Sequence, residues 1–294
     1  MFKSNDFKGT GTALITPFKK DGSVDEEALR RLVDFQEENG VDMLLACGST
    51  GEPATLSPAE HKKVMEIVVD QARRAKVVCG AGSNCTREAV ELSRAAADYG
   101  ADAILSICPY YNKPTQEGIF RHYEAIAQAC DLPLIFYNVP SRTGVGITAE
   151  TMIRLSHVPN IVAVKEASGD LALAAKVIKG TPDDFVILSG NDDITVDIIE
   201  EGGDGVFSVA SNCIPRQIVD LVNTARSGDF AKAHEMSVAL NPILTGMFVE
   251  SNPIPIKYVM SRMGFGENCL RLPLTPISEA AKAKLDPVLE QYGI

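Results

Sequence analysis

The chain has 294 residues, 45% of them hydrophobic, with 28 basic against 39 acidic side chains and a formal charge of −11. Such a length supplies one large core, since barrels of roughly 250 residues are routine as single domains. An acidic balance without a basic stripe argues against nucleic acid or an anionic membrane as the main partner, and leaves room for a small anionic substrate held by one or two cations.

The opening MFKSNDFKGT, Met1 to Thr10, has no apolar h-region. No uncharged apolar run further along approaches the ~20 residues of a membrane helix. The sequence therefore reads as soluble and unexported, hence cytoplasmic. Short apolar, β-branched runs then recur: GTALIT near residues 9–15, DMLLAC at 42–47, KVVCGA at 76–81 and DAILSI at 102–107. PLIFYN at 133–138, IVAVKE at 161–166, FVILSG at 185–190 and GVFSVA at 205–210 continue the series. Near-continuous apolar runs, as opposed to period-two alternation, mark strands buried on both faces.

Helical patterns lie between the runs. Ser57-Pro58 opens one, with Ser as cap and Pro at the first turn; Thr86 precedes another, which Gly100 stops; Thr115 and Thr148 open two more. Eight strand-like runs, most followed by a helix, spell either a closed (β/α)₈ barrel or a long doubly wound sheet. Eight units within about 225 residues favour the α/β TIM barrel. We expect a catalytic barrel over 1–228 and a C-terminal helical segment over 229–294 packed on it. That segment is expected to bend at Asn252-Pro253-Ile254-Pro255, because proline breaks a helix interior.

The seven cysteines are scattered without a CxxC pair, as expected of reduced thiols. The four histidines form no HxxxH or HxH pair, so no metal is expected.

In a barrel, catalytic groups sit at the C-terminal ends of the strands. Lys165, ending IVAVK, is the sharpest of them: an ammonium over apolar neighbours loses basicity and becomes an amine able to attack a carbonyl. The plainer alternative is a strand-capping lysine paired with Glu166. Tyr137 ends the neighbouring run and can carry protons, unless it is only a core aromatic. Ser49, Thr50 and Tyr111 add hydroxyls in loops where turn formation is the other reading. Arg142 suits bidentate capture of a carboxylate, or is a solvated rim charge. GSTGE and GAGSN match neither GxxxxGK[ST] nor GxGxxG and read as tight turns.

GSTGEPATLS, PYYNKPTQEG, YNVPSRTG, VKEASGD, LSGNDD, GVFSVASN and FVESNPIPIKY together cover essentially the whole chain. On these stretches the sequence resembles the dihydrodipicolinate synthases, within the pyruvate-dependent aldolase superfamily that includes N-acetylneuraminate lyase. The resemblance implies a Schiff base between Lys165 and pyruvate. It implies a proton relay of Tyr137, Ser49 and Tyr111, the last reaching a neighbouring subunit's site. Thr50 would hold the pyruvate carboxylate, the backbone around Gly190 and Phe207 would line the pocket, and Arg142 would bind the carboxylate of L-aspartate 4-semialdehyde. The implied product, 4-hydroxy-tetrahydrodipicolinate, lies on the route to diaminopimelate and lysine. No organic cofactor or catalytic metal is implied, and members are commonly homotetramers, dimers of dimers. A feedback site for L-lysine would involve Ala54, His61, Asn84, Glu88 and Tyr110. Two departures stand out: Ser49 where Thr is usual, and Pro53 and Pro58 where Ser and His are frequent. A sugar-acid lyase of the same superfamily and a non-catalytic paralogue are the rival readings.

Overall fold

The computed structural model describes residues 4–294; residues 1–3, at the start of the expected barrel span, lie outside the described residues. Each of the eight apolar runs forms a strand: β1 Gly9–Ala13, β2 Met43–Ala46, β3 Lys76–Gly80, β4 Ala103–Ile107, β5 Leu134–Asn138, β6 Ile161–Glu166, β7 Val186–Ser189 and β8 Gly205–Ser208. Every strand pairs in parallel with its successor, and β8 returns to β1 to close the barrel. Closure leaves no sheet edge, which is why strands of only four to six residues suffice. The doubly wound alternative is thereby ruled out.

The outer layer contains α1 Glu26–Glu38, α2 Pro58–Gln71, α3 Thr86–Tyr99, α4 Gln116–Ala127, the single turn α5 Pro140–Thr143, α6 Ala149–Ser156, α7 Leu171–Gly180, α8 Thr195–Glu200 and α9 Pro215–Arg226. Their start signals are physical. Ser57 accepts from the Glu60 backbone N–H while the Glu60 carboxylate accepts from the Ser57 N–H, a complete capping box. Thr115 and Thr148 cap α4 and α6 through their hydroxyls. At α3 the expectation is displaced by one residue: Thr86 is the first helical residue, Cys85 is the cap, and the hydroxyl of Ser83 takes the Cys85 N–H.

Two apolar cores follow from the strand pleat. One lies between strands and helices; the other fills the barrel with Met43, Leu45, Val78, Ile135, Ala163, Val186, Leu188 and Phe207 among others. Gly11 is required beside Phe207, because a Cβ there would collide with the ring.

Beyond α9 run α10 Phe230–Gly246, α11 Ile254–Arg262 and α12 Glu279–Gln291. α10 lies against α8, α9 and α12. The expected break is where the prolines are: Pro253 caps α11 and Pro255 sits in its first turn. Pro242 and Pro287, by contrast, lie inside α10 and α12.

The C-terminal segment reaches back to the loop after β2 through a buried ion pair. Lys257 Nζ donates to Glu52 at 2.6 Å, each side chain about 1% exposed, with the Phe18 ring centroid 3.8 Å from the ammonium. The Arg271 backbone donates to the other Glu52 oxygen, and its guanidinium grips Glu60 and the carbonyls of Gly22 and Thr55. Glu52 is left-handed (φ 53°), a conformation that a side chain adopts only when its surroundings fix it. Lys257→Met, which strands the Glu52 carboxylate in the interior, is expected to cost about 3–5 kcal/mol in urea unfolding. The Glu52→Gln/Lys257→Met double variant should recover most of that loss. A single variant as stable as the parent would show that the pair does not anchor the loop.

Candidate active site

β5 and β6 run side by side with Tyr137 opposite Lys165 and Asn138 opposite Glu166. Because successive side chains point to opposite faces, the first pair enters the barrel and the second faces the helices. Glu166 is therefore not the partner of Lys165. Its carboxylate takes the Asn138 amide at 2.8 Å and the Ser168 backbone N–H at 2.6 Å.

Lys165 is 5% exposed. It sits 4.5 Å from the Tyr137 ring centroid and 5.7 Å from that of Phe207. Burial lowers its pKa to about 8; the carboxylate of Asp192 opposes this and the guanidinium of Arg142 adds to it. An appreciable fraction is thus neutral amine near neutral pH. Tyr137 is held above its ordinary value by burial, against the pull of Arg142 and the Ser49 hydroxyl, so it stays a phenol able to donate and receive a proton.

Ser49 and Thr50 belong to a 3₁₀ turn over Ser49–Gly51 immediately after β2. Thr50 is buried, and its Oγ1 accepts from the Asn252 amide at 3.0 Å. Its own O–H is left to donate to a ligand. Arg142, in α5 after β5, donates to the backbone carbonyl of that same Asn252 at 3.0 Å. Asn252 thus ties a hydroxyl from one loop to a guanidinium from another, 202 residues along the chain from Thr50. The sequence marks it only at the expected Asn252-Pro253-Ile254-Pro255 bend and within FVESNPIPIKY, with no role at the site.

Gly190 follows β7 with no room to spare. A Cβ there would meet Ala167 Cβ at 2.5 Å and Lys165 Cε at 3.1 Å. Phe207 is fully buried in the barrel interior. Asp192, two residues after Gly190, figures in the sequence only within LSGNDD. It is 4% exposed and accepts the backbone N–H groups of Val209 and Ala210 through Oδ2.

Tyr111 departs from this cluster. It is left-handed (φ 71°) and 89% exposed, directed away from its own barrel. A cavity of about 400 Å³ extends from Ser49, Tyr137 and Arg142 outward to Ala54, His61, Glu88 and Tyr110. Asn84 stands one step back, donating its amide to the Tyr110 carbonyl at 3.1 Å. His61 meets the Gly80 carbonyl with Nε2 at 2.7 Å, and burial lowers its pKa, so the ring presents itself neutral. Pro53 lines the same cavity without a side-chain donor. Among the described residues no group of three or more His, Cys, Asp or Glu side chains is arranged to hold a metal ion. No helix there is long and apolar enough to cross a membrane.

The profile of the dihydrodipicolinate synthetase family matches residues 6–292. The chain belongs to that family. A 4-hydroxy-tetrahydrodipicolinate synthase of Chloroherpeton thalassium is 47% identical over 98% of this chain and 96% of its own. Among solved structures, a chloride-inhibited dihydrodipicolinate synthase of Acinetobacter baumannii complexed with pyruvate is 41% identical, with a TM-score of 0.95 over 98% of this chain and 99% of that one. A family member of Cyanidioschyzon merolae with lysine bound is 39% identical, also with a TM-score of 0.95 and the same coverage.

The Lys165 stem is tightly packed against the Gly190 backbone. Gly190→Ala is expected to displace the lysine stem, costing about 1–3 kcal/mol of stability and lowering turnover roughly tenfold or more. A variant with unchanged melting and rate would mean that the contact at Lys165 Cε is slack.

Proposed function

We propose that the protein catalyses the 4-hydroxy-tetrahydrodipicolinate synthase reaction, condensing pyruvate with L-aspartate 4-semialdehyde through a Schiff base on Lys165. The observation that carries this reading is a buried lysine at the end of β6 beside the Tyr137 ring. Neutral Lys165 attacks C2 of pyruvate, and Tyr137 passes a proton to the departing hydroxyl, which leaves as water. The iminium that results draws electrons from the methyl group, which loses a proton and becomes an enamine. The enamine carbon attacks the aldehyde carbon, and the aldehyde oxygen is protonated. The amine of the second substrate then closes on C2 and displaces Lys165.

The remaining residues have complementary tasks. Thr50, whose hydroxyl proton is free, donates to the pyruvate carboxylate, while Arg142 at the rim takes the carboxylate of the second substrate. Ser49 connects Tyr137 to the loop, and Gly190 and Phe207 form the pocket walls. Tyr111 completes the relay in a partner subunit, as its exposed, constrained position suits, which makes a homotetramer built from such dimers the assembly we propose. The chemistry calls on no organic cofactor and no metal. The seven unpaired cysteines fit a cytoplasmic setting. L-Lysine is the proposed feedback inhibitor, its ammonium facing Glu88 in the outer part of the cavity. Pro53 supplies no side-chain contact there, so weak inhibition is expected.

Pyruvate consumption by the purified protein should require L-aspartate 4-semialdehyde and vanish in Lys165→Ala. Consumption without the semialdehyde, or survival in the variant, would overturn the reading. Protonation of Lys165 removes the nucleophile, so kcat/KM for pyruvate should climb with pH and level off near the lysine pKa of about 8. A rise continuing to about pH 10.5, the ordinary lysine value, would mean that the amine is not desolvated. Added L-lysine should slow turnover at millimolar concentration, and an unchanged rate would remove the regulatory site.

A further inference from the structure

Imine chemistry needs a nitrogen that stays positively charged after it has bonded to the substrate carbon. The steps are R–NH₃⁺ + O=C → R–NH⁺=C + H₂O, then loss of a methyl proton to give the neutral enamine. Only the protonated imine is a strong electron sink, and an sp² nitrogen is intrinsically less basic than the amine from which it forms. A pocket dry enough to depress the amine depresses the imine as well. Pyruvate's own carboxylate, bonded to the imine carbon, supplies one compensating negative charge, and a second from the protein would hold the proton more firmly.

The candidates for that charge can be worked through. Glu166, adjacent in sequence, is turned to the outer face and bound to Asn138 and Ser168. Arg142 carries the wrong sign, and the phenol of Tyr137 is neutral in this range. Asp192 remains. It follows β7, next to the Gly190 position that touches the Lys165 stem. Its Oδ2 is fixed by two backbone N–H groups beyond β8, those of Val209 and Ala210. Its Oδ1 is buried and has no hydrogen-bond partner among the described residues. A carboxylate oxygen left bare inside a protein is costly unless a charge repays it. Phe207 on β8 lies 5.7 Å from the Lys165 ammonium, and the Asp192 carboxylate, whose own pKa burial pushes up, acts on that ammonium to raise the lysine's pKa.

We propose that Asp192 is the counter-ion of the Lys165 imine: a positioning residue that keeps the nitrogen protonated through the electron-withdrawing step. This rests on the Schiff-base reading of Lys165 and adds to it the residue that sets the charge. The groups facing Lys165 are Asp192 from the loop after β7, Arg142 after β5 and Tyr137 on β5. Those facing Asp192 are Lys165, the Ser208 hydroxyl and, on the far side, the Cys213 thiol.

The test compares the wild type with Asp192→Asn, whose amide oxygen still accepts from Val209 and Ala210. Pyruvate trapping by borohydride and turnover are followed against pH, with melting measured in parallel and with the exposed neighbour Asp193→Asn as a control. The variant should melt like the parent, trap and turn over roughly tenfold more slowly at about pH 8, and recover toward the wild type as the pH falls to about 6. Acid restores the proton that the lost carboxylate no longer holds. If Asp192→Asn is unstable, Asp192→Ser keeps a small acceptor for the two N–H groups and should give the same pH-dependent deficit. A deficit equal at all pH values, or none, in a folded variant overturns the counter-ion role. Failure of the wild type itself to trap pyruvate would instead overturn the Schiff-base reading on which the inference stands.

Discussion

The pleat of two adjacent strands is the constraint on which the site depends. With Tyr137 opposite Lys165 inside the barrel, Asn138 and Glu166 must face outward, and their mutual hydrogen bond fixes that register from behind. A slip of one residue would reverse both faces, placing a carboxylate in the barrel and the lysine against the helices. The inner pair lies on a floor of Ile135, Ala163 and Leu188, which strips water from the amine. The same geometry that closes the barrel thus buries the amine on which the proposed Schiff base depends.

The mouth above that floor is assembled from distant parts of the chain. The loop after β2 is held in shape by Glu52, whose charge is balanced by Lys257, 205 residues away. Asn252, at the start of the same C-terminal segment, joins Thr50 to the rim bearing Arg142. Two polar contacts and one ion pair therefore bring the loops of the C-terminal segment to the candidate pocket, which Ser251, Asn252 and Pro273 help to line. The cavity that begins at Ser49 and Tyr137 also runs under Pro53 and Ala54 to His61 and Glu88. A ligand in its outer half would press on the loop that carries Ser49 and Thr50, which gives a short physical route from a regulatory ligand to the chemistry.

Much of this was legible in the sequence. Buried strands appear as apolar runs, helix caps as Ser or Thr before a periodic stretch, and a lysine ending the sixth run points to the barrel mouth once eight units are counted. At Thr86 the displacement is one residue: Cys85 takes the cap position without a side-chain cap, its own N–H bonded to the Ser83 hydroxyl ahead of the helix. Asp192, Asn252 and the Glu52–Lys257 pair were not recognised, because each meets its partner only through tertiary contact: Asp192 when β7 lies beside β8, the others when the C-terminal segment folds back. The pairing of Lys165 with Glu166 remained open for the same reason, since proximity in sequence says nothing of which face a side chain takes.

The central claim is that Lys165 is the atom-for-atom point of attachment of pyruvate. It is tested most directly by incubating the protein with pyruvate and borohydride, digesting it, and mapping the modified residue by mass spectrometry. A reduced pyruvate adduct on the peptide containing Lys165, absent when pyruvate is omitted, is the expected result. An adduct on another lysine, or none anywhere, would contradict the account.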